Sequence, residues 1–462
     1  MTAAEMDNVS ENQVITFGCR LNIYESEAIK LALKETQQKN LIVFNSCAVT
    51  SEAEKDLRFA IRKARKQNPQ AKIVVTGCAA QIDPEKYAKM AEVDLVLGNV
   101  EKSRPESYLE NFSSVIIEEK ITNSDSDIVH KDQIFFANKK SSEVFLNPFE
   151  TSKIKVNDIM SVRDTAPQLV SYFENQTRAF LEIQNGCNHR CTFCIIPFGR
   201  GNSRSVAFGE IVAQVKKMVA LGHKEIVFTG VDISDYGKDL AAPITLSQMI
   251  KRLLKLVPEL PRLRLSSIDV AEIDEGFFEI LKNEPRFMPY FHLSVQSGDD
   301  IILKRMKRRH NRKQVLEFCA KARQIRPEIT FGCDIIAGFP TETEEMFLNS
   351  LNLIKEAGIV FTHIFPYSKR DGTPAAKMPQ VNGKIIKQRA KILREAGEVE
   401  LKKFLPTQIG KELKVLVEKN GKGKTENFLD VKILGEEKKL NSGDIIEAKA
   451  FEVVDNFLLT NL

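Results

Sequence analysis

The first hundred residues repeat one order of apolar and polar positions three times. A short β-rich run ends at a cysteine, and a stretch with helical periodicity follows. Val14–Phe17 leads to Gly18 and Cys19, Leu41–Phe44 leads through Asn45 and Ser46 to Cys47, and Lys72–Val75 leads through Thr76 and Gly77 to Cys78. The intervals of 28 and 31 positions between these cysteines fit one βαβ crossover each, with helices over Ile23–Glu35 and Glu52–Gln67 and a fourth strand over Val93–Leu97. Strands joined this way all point in one direction, which predicts a parallel, Rossmann-like sheet. Thiols placed just past three strand ends then converge on the carboxyl edge, where open α/β sheets bind ligands.

From Glu101 to Thr177 the periodicity dissolves into Ser, Asn, Asp and Lys, broken by short apolar runs such as Val115–Ile117 and Ile134–Phe136. It resumes as six βα units whose strands cover Ala179–Gln184, Glu225–Thr229, Arg262–Ser266, Phe291–Val295, Thr330–Ile336 and Thr362–Phe365, with helical stretches such as Val206–Leu221 and Arg312–Gln324 between them. Six such units predict a partial (β/α)6 barrel with its site at the carboxyl ends of the strands. After Leu405 and Pro406 the texture changes to short alternating runs, Glu412–Glu418, Phe428–Ile433, Asp444–Ala448 and Phe457–Leu459, separated by Asn/Gly-rich turns, as in a small antiparallel β-barrel. The expected class is α/β, with domains over 10–120 and 173–398, a connector over 121–172, and the small barrel over 399–462.

A chain of 462 residues, 43% hydrophobic and 28% charged, has enough apolar surface for several cores and is not largely disordered. No apolar run is long enough to span a bilayer, and the polar, acidic first residues do not resemble a signal peptide, so no membrane association and a cytoplasmic location are expected. The eight cysteines at positions 19, 47, 78, 187, 191, 194, 319 and 333 are grouped, and in a reducing compartment that grouping points to metal or catalysis before disulfides. Cys319 and Cys333 stand apart and read as core thiols.

Gly186-Cys187-Asn-His-Arg-Cys191-Thr-Phe-Cys194 follows a predicted strand directly. Three such thiols can hold a four-iron cluster and leave one iron open to a small molecule, or can hold zinc with His189 completing a tetrahedron. Cys-x3-Cys-x2-Cys with Phe193 before the last cysteine, on the loop after the first strand of a β/α barrel, resembles the radical S-adenosylmethionine superfamily. That resemblance implies a 4Fe-4S cluster on Cys187, Cys191 and Cys194, S-adenosylmethionine chelated to its open iron, and a 5′-deoxyadenosyl radical that abstracts hydrogen from unactivated positions. The protein orients and shields this chemistry, and no catalytic acid or base is assigned.

Thr16-Phe-Gly-Cys19-Arg-Leu-Asn22-Ile-Tyr-Glu-Ser-Glu27, Asn45-Ser-Cys47-Ala-Val-Thr50 and Thr76-Gly-Cys78-Ala-Ala-Gln81 resemble the amino-terminal domain of the methylthiotransferases, and the C-terminal runs resemble their TRAM domain. The resemblance implies that Cys19, Cys47 and Cys78 hold a second, auxiliary 4Fe-4S cluster; three buried core thiols are the alternative, against which their equivalent placement at three successive strand ends speaks. It also implies contacts to S-adenosylmethionine from Phe193, Thr229, Gly230, Ser294 and Gln296, with ordinary barrel packing as the alternative for each. The Cys-Arg-Leu-Asn-x-Tyr-Glu-Ser-Glu stretch is most similar to the branch acting on threonylcarbamoyladenosine in tRNA. Other branches act on isopentenyladenosine in tRNA or on a ribosomal aspartate, and a non-catalytic, metal-stabilised RNA-binding protein is the rival of another class. The implied reaction is addition of a methylthio group to C2 of the nucleoside beside the anticodon, with an external electron donor and a monomeric enzyme.

A net charge of +5 is faint for this size, so local clusters must decide any polyanion partner. Lys304–Lys313 holds seven cations in ten positions. Together with Arg200 and Arg204 beside the second cysteine group, it predicts a track for the phosphates of a tRNA anticodon loop, with Arg200, Arg204, Lys307 and Arg308 as the expected contacts. Arg62–Lys66 reads as a solvated surface.

Overall fold

The computed structural model describes residues 11–109, 153–163, 177–435 and 440–461. The apolar runs at 115–117 and 134–136 lie outside the described residues. The amino-terminal unit is built from β1 (Gln13–Thr16), α1 (Arg20–Glu35), β2 (Leu41–Ser46), α2 (Ser51–Gln67), β3 (Lys72–Gly77), α3 (Cys78–Ile82), α4 (Pro84–Ala88), β4 (Leu95–Leu97) and β5 (Ile154–Lys155). The strands form one parallel sheet in the order β1-β2-β3-β4-β5. β2 is buried along its whole length, as a parallel strand covered on both faces must be. One face packs Ile29, Ala32 and Leu33 of α1; the other packs Leu57, Ile61 and Ala64 of α2.

The fifth strand was not expected. β5 comes from the segment read as a connector, so residues 153–155 belong to the amino-terminal sheet and the expected boundary at 120 does not hold. Two residues carry no periodicity, and only the pairing of Val96 with Ile154 and Leu97 with Lys155 defines the strand.

The central unit runs β6 (Ala179–Asn185), α5 (Ile196–Arg200), β7 (Arg204–Ser205), α6 (Phe208–Ala220), β8 (Glu225–Gly230), α7 (Leu246–Leu256), β9 (Arg262–Leu265), β10 (Ser267–Ile268), α8 (Glu275–Asn283), β11 (Tyr290–Gln296), α9 (Asp300–Arg305), α10 (Arg312–Ile325), β12 (Thr330–Ala337), α11 (Glu344–Glu356), β13 (Ile359–Pro366) and α12 (Gly383–Phe404). Two four-stranded sheets, β7-β6-β8-β9 and β10-β11-β12-β13, meet where β9 gives way to β10 at Ser266. Apart from the short antiparallel β7, the strands are parallel, which makes the partial (β/α)6 barrel. Its largest core joins the strands to the outer helices, and Tyr24 and Ala28 of α1 pack into the same core. Cys319 and Cys333 lie inside it, 1% and 0% exposed, and burial pushes the Cys319 thiol up to about 12.

β14 (Glu412–Val417), β15 (Lys422–Thr425), β16 (Asp430–Ile433), β17 (Ile445–Val454) and β18 (Phe457–Asn461) close a five-stranded barrel around Val415, Val431, Ile433 and Leu458. Its pairings are antiparallel except β16 with β18. Phe428, expected at the start of a strand, instead sits in a turn at φ 72° and leaves the small barrel. Its ring stacks on Tyr290, the first residue of β11, with centroids 4.6 Å apart. Arg262 and Arg264 of β9 donate to the Lys414 and Glu426 carbonyls at 3.0 Å each, so the C-terminal barrel covers the amino end of the central barrel.

Candidate two-centre cysteine site

Both cysteine groups sit where the strands of their own sheets end. In the amino-terminal unit, β1, β2 and β3 are neighbours in register, with Thr16 beside Asn45 and Asn45 beside Thr76, so the chain delivers Cys19, Cys47 and Cys78 to one edge. Gly77 makes the last of these turns possible: its φ is +92°, and a Cβ there would overlap the Ser46 backbone. Asn22 donates to the Phe17 carbonyl at 2.7 Å and to the Ser46 carbonyl at 3.0 Å, tying the first two cysteine loops together. Burial and the neighbouring Cys78 and Cys19 sulfurs push the Cys47 thiol up to about 11.

The second group follows β6. Gly186 turns at φ +72° with no space for a Cβ, which would overlap the Asn202 carbonyl. Gln184, fully buried, then pins the loop: its Nε2 donates to the Gly186 carbonyl at 2.7 Å, while its Oε1 accepts from the Val231 and Asp232 amides at 3.1 and 2.8 Å. The Cys194 amide donates to the Cys191 carbonyl at 3.0 Å, and the Thr192 hydroxyl anchors the loop to the Arg305 carbonyl at 2.8 Å. Burial pushes the Cys194 thiol up to about 12, and burial followed by the Asp232 charge raises Cys187 further. Gly186→Ala is therefore expected to leave the amino-terminal group intact but to displace Cys187; reconstituted protein should lose iron from the second group only, read by iron content and absorbance.

α5, which starts two residues after Cys194, joins the two groups. A Cβ at Gly199 would lie 3.2 Å from the Cys78 Cβ, and Arg200 donates from Nε to the Cys78 sulfur at 3.0 Å. The same guanidinium donates to Asn22 at 2.7 Å and clamps Glu25, whose other partner is Lys102 at 2.6 Å. Arg200, Glu25 and Lys102 are 2%, 2% and 0% exposed. The Arg200 guanidinium thus meets the Cys78 sulfur from inside a buried ion cluster that Arg200, Glu25 and Lys102 form together.

Among the described residues, three-donor groups with ligand atoms within 4.8 Å of one another are Cys187–His189–Asp232, His292–Asp334–His363 and His189–Asp235–Glu272.

The cationic contacts expected from sequence divide sharply. Arg200 is sealed inside, and Arg204, 6% exposed, donates to the Asn202 and Arg200 carbonyls at 2.8 and 3.0 Å, so neither guanidinium is presented to a phosphate. Arg308 donates to the Cys191 sulfur at 3.7 Å, the Asp269 carboxylate at 2.7 Å and the Ser294 carbonyl at 2.9 Å. Its role is inward. Against the burial that would raise it, the His310 hydrogen bond and the Arg308 charge hold the Asp269 carboxyl down to about 2. Lys307 alone of the four expected contacts is exposed, on a left-handed turn at φ 57°, beside exposed Lys304 and Arg305.

Phe193 packs edge-on against Phe339 at 6.3 Å, under the second cysteine loop. Thr229 and Gly230 end β8 next to Glu182 and Gln184 of β6, and Ser294 and Gln296 lie half-buried along β11. These five residues therefore line the carboxyl half of the same barrel. Sequence reasoning missed Gln184, Glu25 and Lys102; the segments that begin at His292 and Asp334 resemble the family's strand ends at the cofactor pocket, but nothing in the sequence joins them to His363 in the chain in which His292 Nε2 lies 3.0 Å and His363 Nδ1 3.5 Å from Asp334. Asn22 and Glu25 lie within the Thr16–Glu27 motif that carries Cys19, but Lys102 left no signal.

Comparison with known proteins agrees with this architecture. The radical SAM superfamily matches residues 181–354, and the uncharacterized protein family UPF0004 matches residues 11–98. A solved radical S-adenosylmethionine methyltransferase, TsrM from Kitasatospora setae, shares the fold with a TM-score of 0.51 at 13% identity, covering 80% of this chain and 77% of that one. A tRNA-2-methylthio-N(6)-dimethylallyladenosine synthase from Ehrlichia chaffeensis is 30% identical over 89% of this chain and 88% of its own length. The threonylcarbamoyladenosine tRNA methylthiotransferase of Aquifex aeolicus is 35% identical over 90% of this chain and 95% of its own length. That of Rickettsia prowazekii is 51% identical over 453 residues, 98% of each chain. With two cysteine triads bridged by one short helix and a relative this similar from end to end, the chain belongs to the threonylcarbamoyladenosine tRNA methylthiotransferase family.

Proposed function

We propose that this protein adds a methylthio group to C2 of N6-threonylcarbamoyladenosine beside the anticodon of tRNA. Cys187, Cys191 and Cys194 would hold a radical-generating 4Fe-4S cluster, and Cys19, Cys47 and Cys78 an auxiliary one. When bound, the two clusters supply the electron that cleaves S-adenosylmethionine and the sulfur that is transferred, with S-adenosylmethionine as methyl donor and radical source. The observation that carries this reading is the contact between the two halves: α5 begins at the second triad and ends on Cys78 of the first.

The chain's own residues orient and shield. Gln184 fixes the loop after β8 against the second cysteine loop, which holds Thr229 and Gly230 where S-adenosylmethionine would lie. Arg308 offers a guanidinium to Cys191, and Phe193 and Phe339 give that loop an apolar floor. Phe428 and Tyr290 close the amino end of the barrel, so substrate enters from the carboxyl end, the direction from which an extruded anticodon-loop base can be presented. A C–H bond at C2 is not acidic, and a radical route needs no protein base. Among the described residues no helix is long and apolar enough to cross a membrane; we read the enzyme as a cytoplasmic monomer served by an external one-electron donor.

Nucleoside mass profiles of tRNA from cells with and without the gene test this. The methylthiolated form of threonylcarbamoyladenosine should disappear and the unmodified form accumulate. An unchanged threonylcarbamoyladenosine pool with altered dimethylallyladenosine would assign the enzyme to the other tRNA substrate. The exposed cations give a separate expectation: Lys304→Gln with Lys307→Gln should weaken tRNA binding and lower the salt slope by roughly one per phosphate contact removed, measured by titration at several salt concentrations.

A further inference from the structure

We propose that Arg20 is the specificity-determining residue that receives the carboxylate of the threonylcarbamoyl group, an inference that rests on the function proposed above. Phe428 lies at the centre of a cationic cluster. Four cations surround its ring: Lys424 Nζ at 4.3 Å from the centroid, and the guanidinium carbons of Arg264, Arg178 and Arg20 at 4.9, 5.2 and 5.9 Å. Three of them have their own carboxylates, Lys424 with Asp430 at 2.7 Å, Arg264 with Glu225 at 2.7 Å and Arg178 with Glu418 at 3.1 Å. The Arg20 guanidinium makes no ion pair or hydrogen bond among the described residues, although it is half-buried. A guanidinium cannot shed its charge, and one that a ligand seals from water is costly unless the ligand brings an anion to it.

The wall beside it is already balanced. Tyr290, stacked on Phe428, bonds His292 Nδ1 at 2.9 Å, and Asp334 is shared between His292 and His363. The His363 side chain is 57% exposed although it lies in the middle of β13, so the barrel is open to a ligand at this level. Among the described residues Arg20 is the one cation of the ring cluster with no carboxylate at ion-pair distance, and it follows Cys19 directly in sequence. In adenine C2 and C6 both flank N1, so a base whose C2 is presented to the triad of Cys19 carries its N6 substituent close by, and Arg20, the first residue of α1, adjoins that triad in the chain.

The same charge rejects competitors. A dimethylallyl substituent, the kind named for the Ehrlichia chaffeensis relative, would cover Arg20 without pairing it, and a buried unpaired charge is an effective repulsive element. A carboxylate accepts two parallel N–H bonds from it instead.

The test uses the reconstituted enzyme and anticodon stem-loop RNA bearing threonylcarbamoyladenosine or its methyl ester, which is one methyl group larger and has no charge. Two quantities are read: RNA affinity without S-adenosylmethionine, and kcat/KM for methylthio transfer. The native enzyme should prefer the acid over the ester by about 10- to 100-fold in both. Arg20→Gln should erase that preference by losing the acid while retaining iron, and Arg20→Lys should restore part of it. Equal losses on acid and ester in Arg20→Gln, or a native enzyme that treats the two alike while still modifying the acid, would overturn the assignment and leave the function standing. A native enzyme that modifies neither RNA would overturn both.

Discussion

Cys194→Ala and Cys47→Ala are expected to fail in different ways. Each should lower the iron of fully reconstituted protein from about eight to about four atoms per chain, because each removes one of three ligands from one cluster and leaves the other cluster untouched. Cys194→Ala should abolish formation of 5′-deoxyadenosine from S-adenosylmethionine under anaerobic reducing conditions. Cys47→Ala should keep that cleavage and lose methylthio transfer to tRNA. Neither thiol is tied to an arginine, unlike Cys191 and Cys78, so the substitutions remove a ligand without stranding a buried cation. The Cys47 site is a closed pocket against Gly18, where a Cβ would come within 2.8 Å of the Cys47 Cβ, and alanine fits it with little strain. Iron analysis, electron paramagnetic resonance and product chromatography read the three quantities independently. One iron centre in the native protein, or loss of deoxyadenosine in both variants alike, would contradict a division of labour between the triads.

Why the sequence reveals the sulfur atoms but not their surroundings follows from the range of the signals. The strand-then-cysteine pattern is local, and β1, β2 and β3 lie within a residue or two of the expected runs because short continuous apolar runs and the turn residues that bound them fix strand ends over short distances. The barrel strands were legible for the same reason. β5 was not, since its two residues are defined by a partner more than fifty positions away. Charges behave the same way. Arg200, Arg204, Lys307 and Arg308 look alike as letters, and composition assigns all of them to phosphates; burial separates one outward lysine from three inward arginines. The partner of Arg200 is Glu25, 175 positions earlier, and nothing in the neighbourhood of either announces the other. Phe428 was read as a strand residue because its neighbours alternate, yet its left-handed backbone and stack on Tyr290 make it a plug. Tertiary pairing decided each of these cases, and pattern reading has no access to it.

Arg200→Met should uncouple the two halves of the molecule. The side chain belongs to the central barrel by sequence, but all of its polar side-chain contacts, Cys78, Asn22 and Glu25, lie in the amino-terminal unit. Methionine keeps most of the volume and removes the charge, so the loss is electrostatic rather than a cavity. Breaking a buried pair typically costs 3–5 kcal/mol, and the lower end, about 3 kcal/mol, applies because Lys102 stays on Glu25. At about 2–4 °C per kcal/mol for a unit of the central barrel's size, that corresponds to a fall of roughly 6–12 °C in the first thermal transition. Glu25→Gln should cost more, because Arg200 and Lys102 would then face each other across Cys78 with no carboxylate between them. The double variant Arg200→Met with Glu25→Gln should be less destabilised than the sum of the two, a non-additivity that reports direct coupling. Function should divide along the same seam. Deoxyadenosine formation needs only the barrel loop held by Gln184 and Thr192 and should persist, whereas methylthio transfer needs Cys78 held against α5 and should fall by about tenfold or more. A variant that unfolds at the native temperature and transfers at the native rate would show that the surface between the units, not this ion cluster, sets the distance between the two cysteine triads.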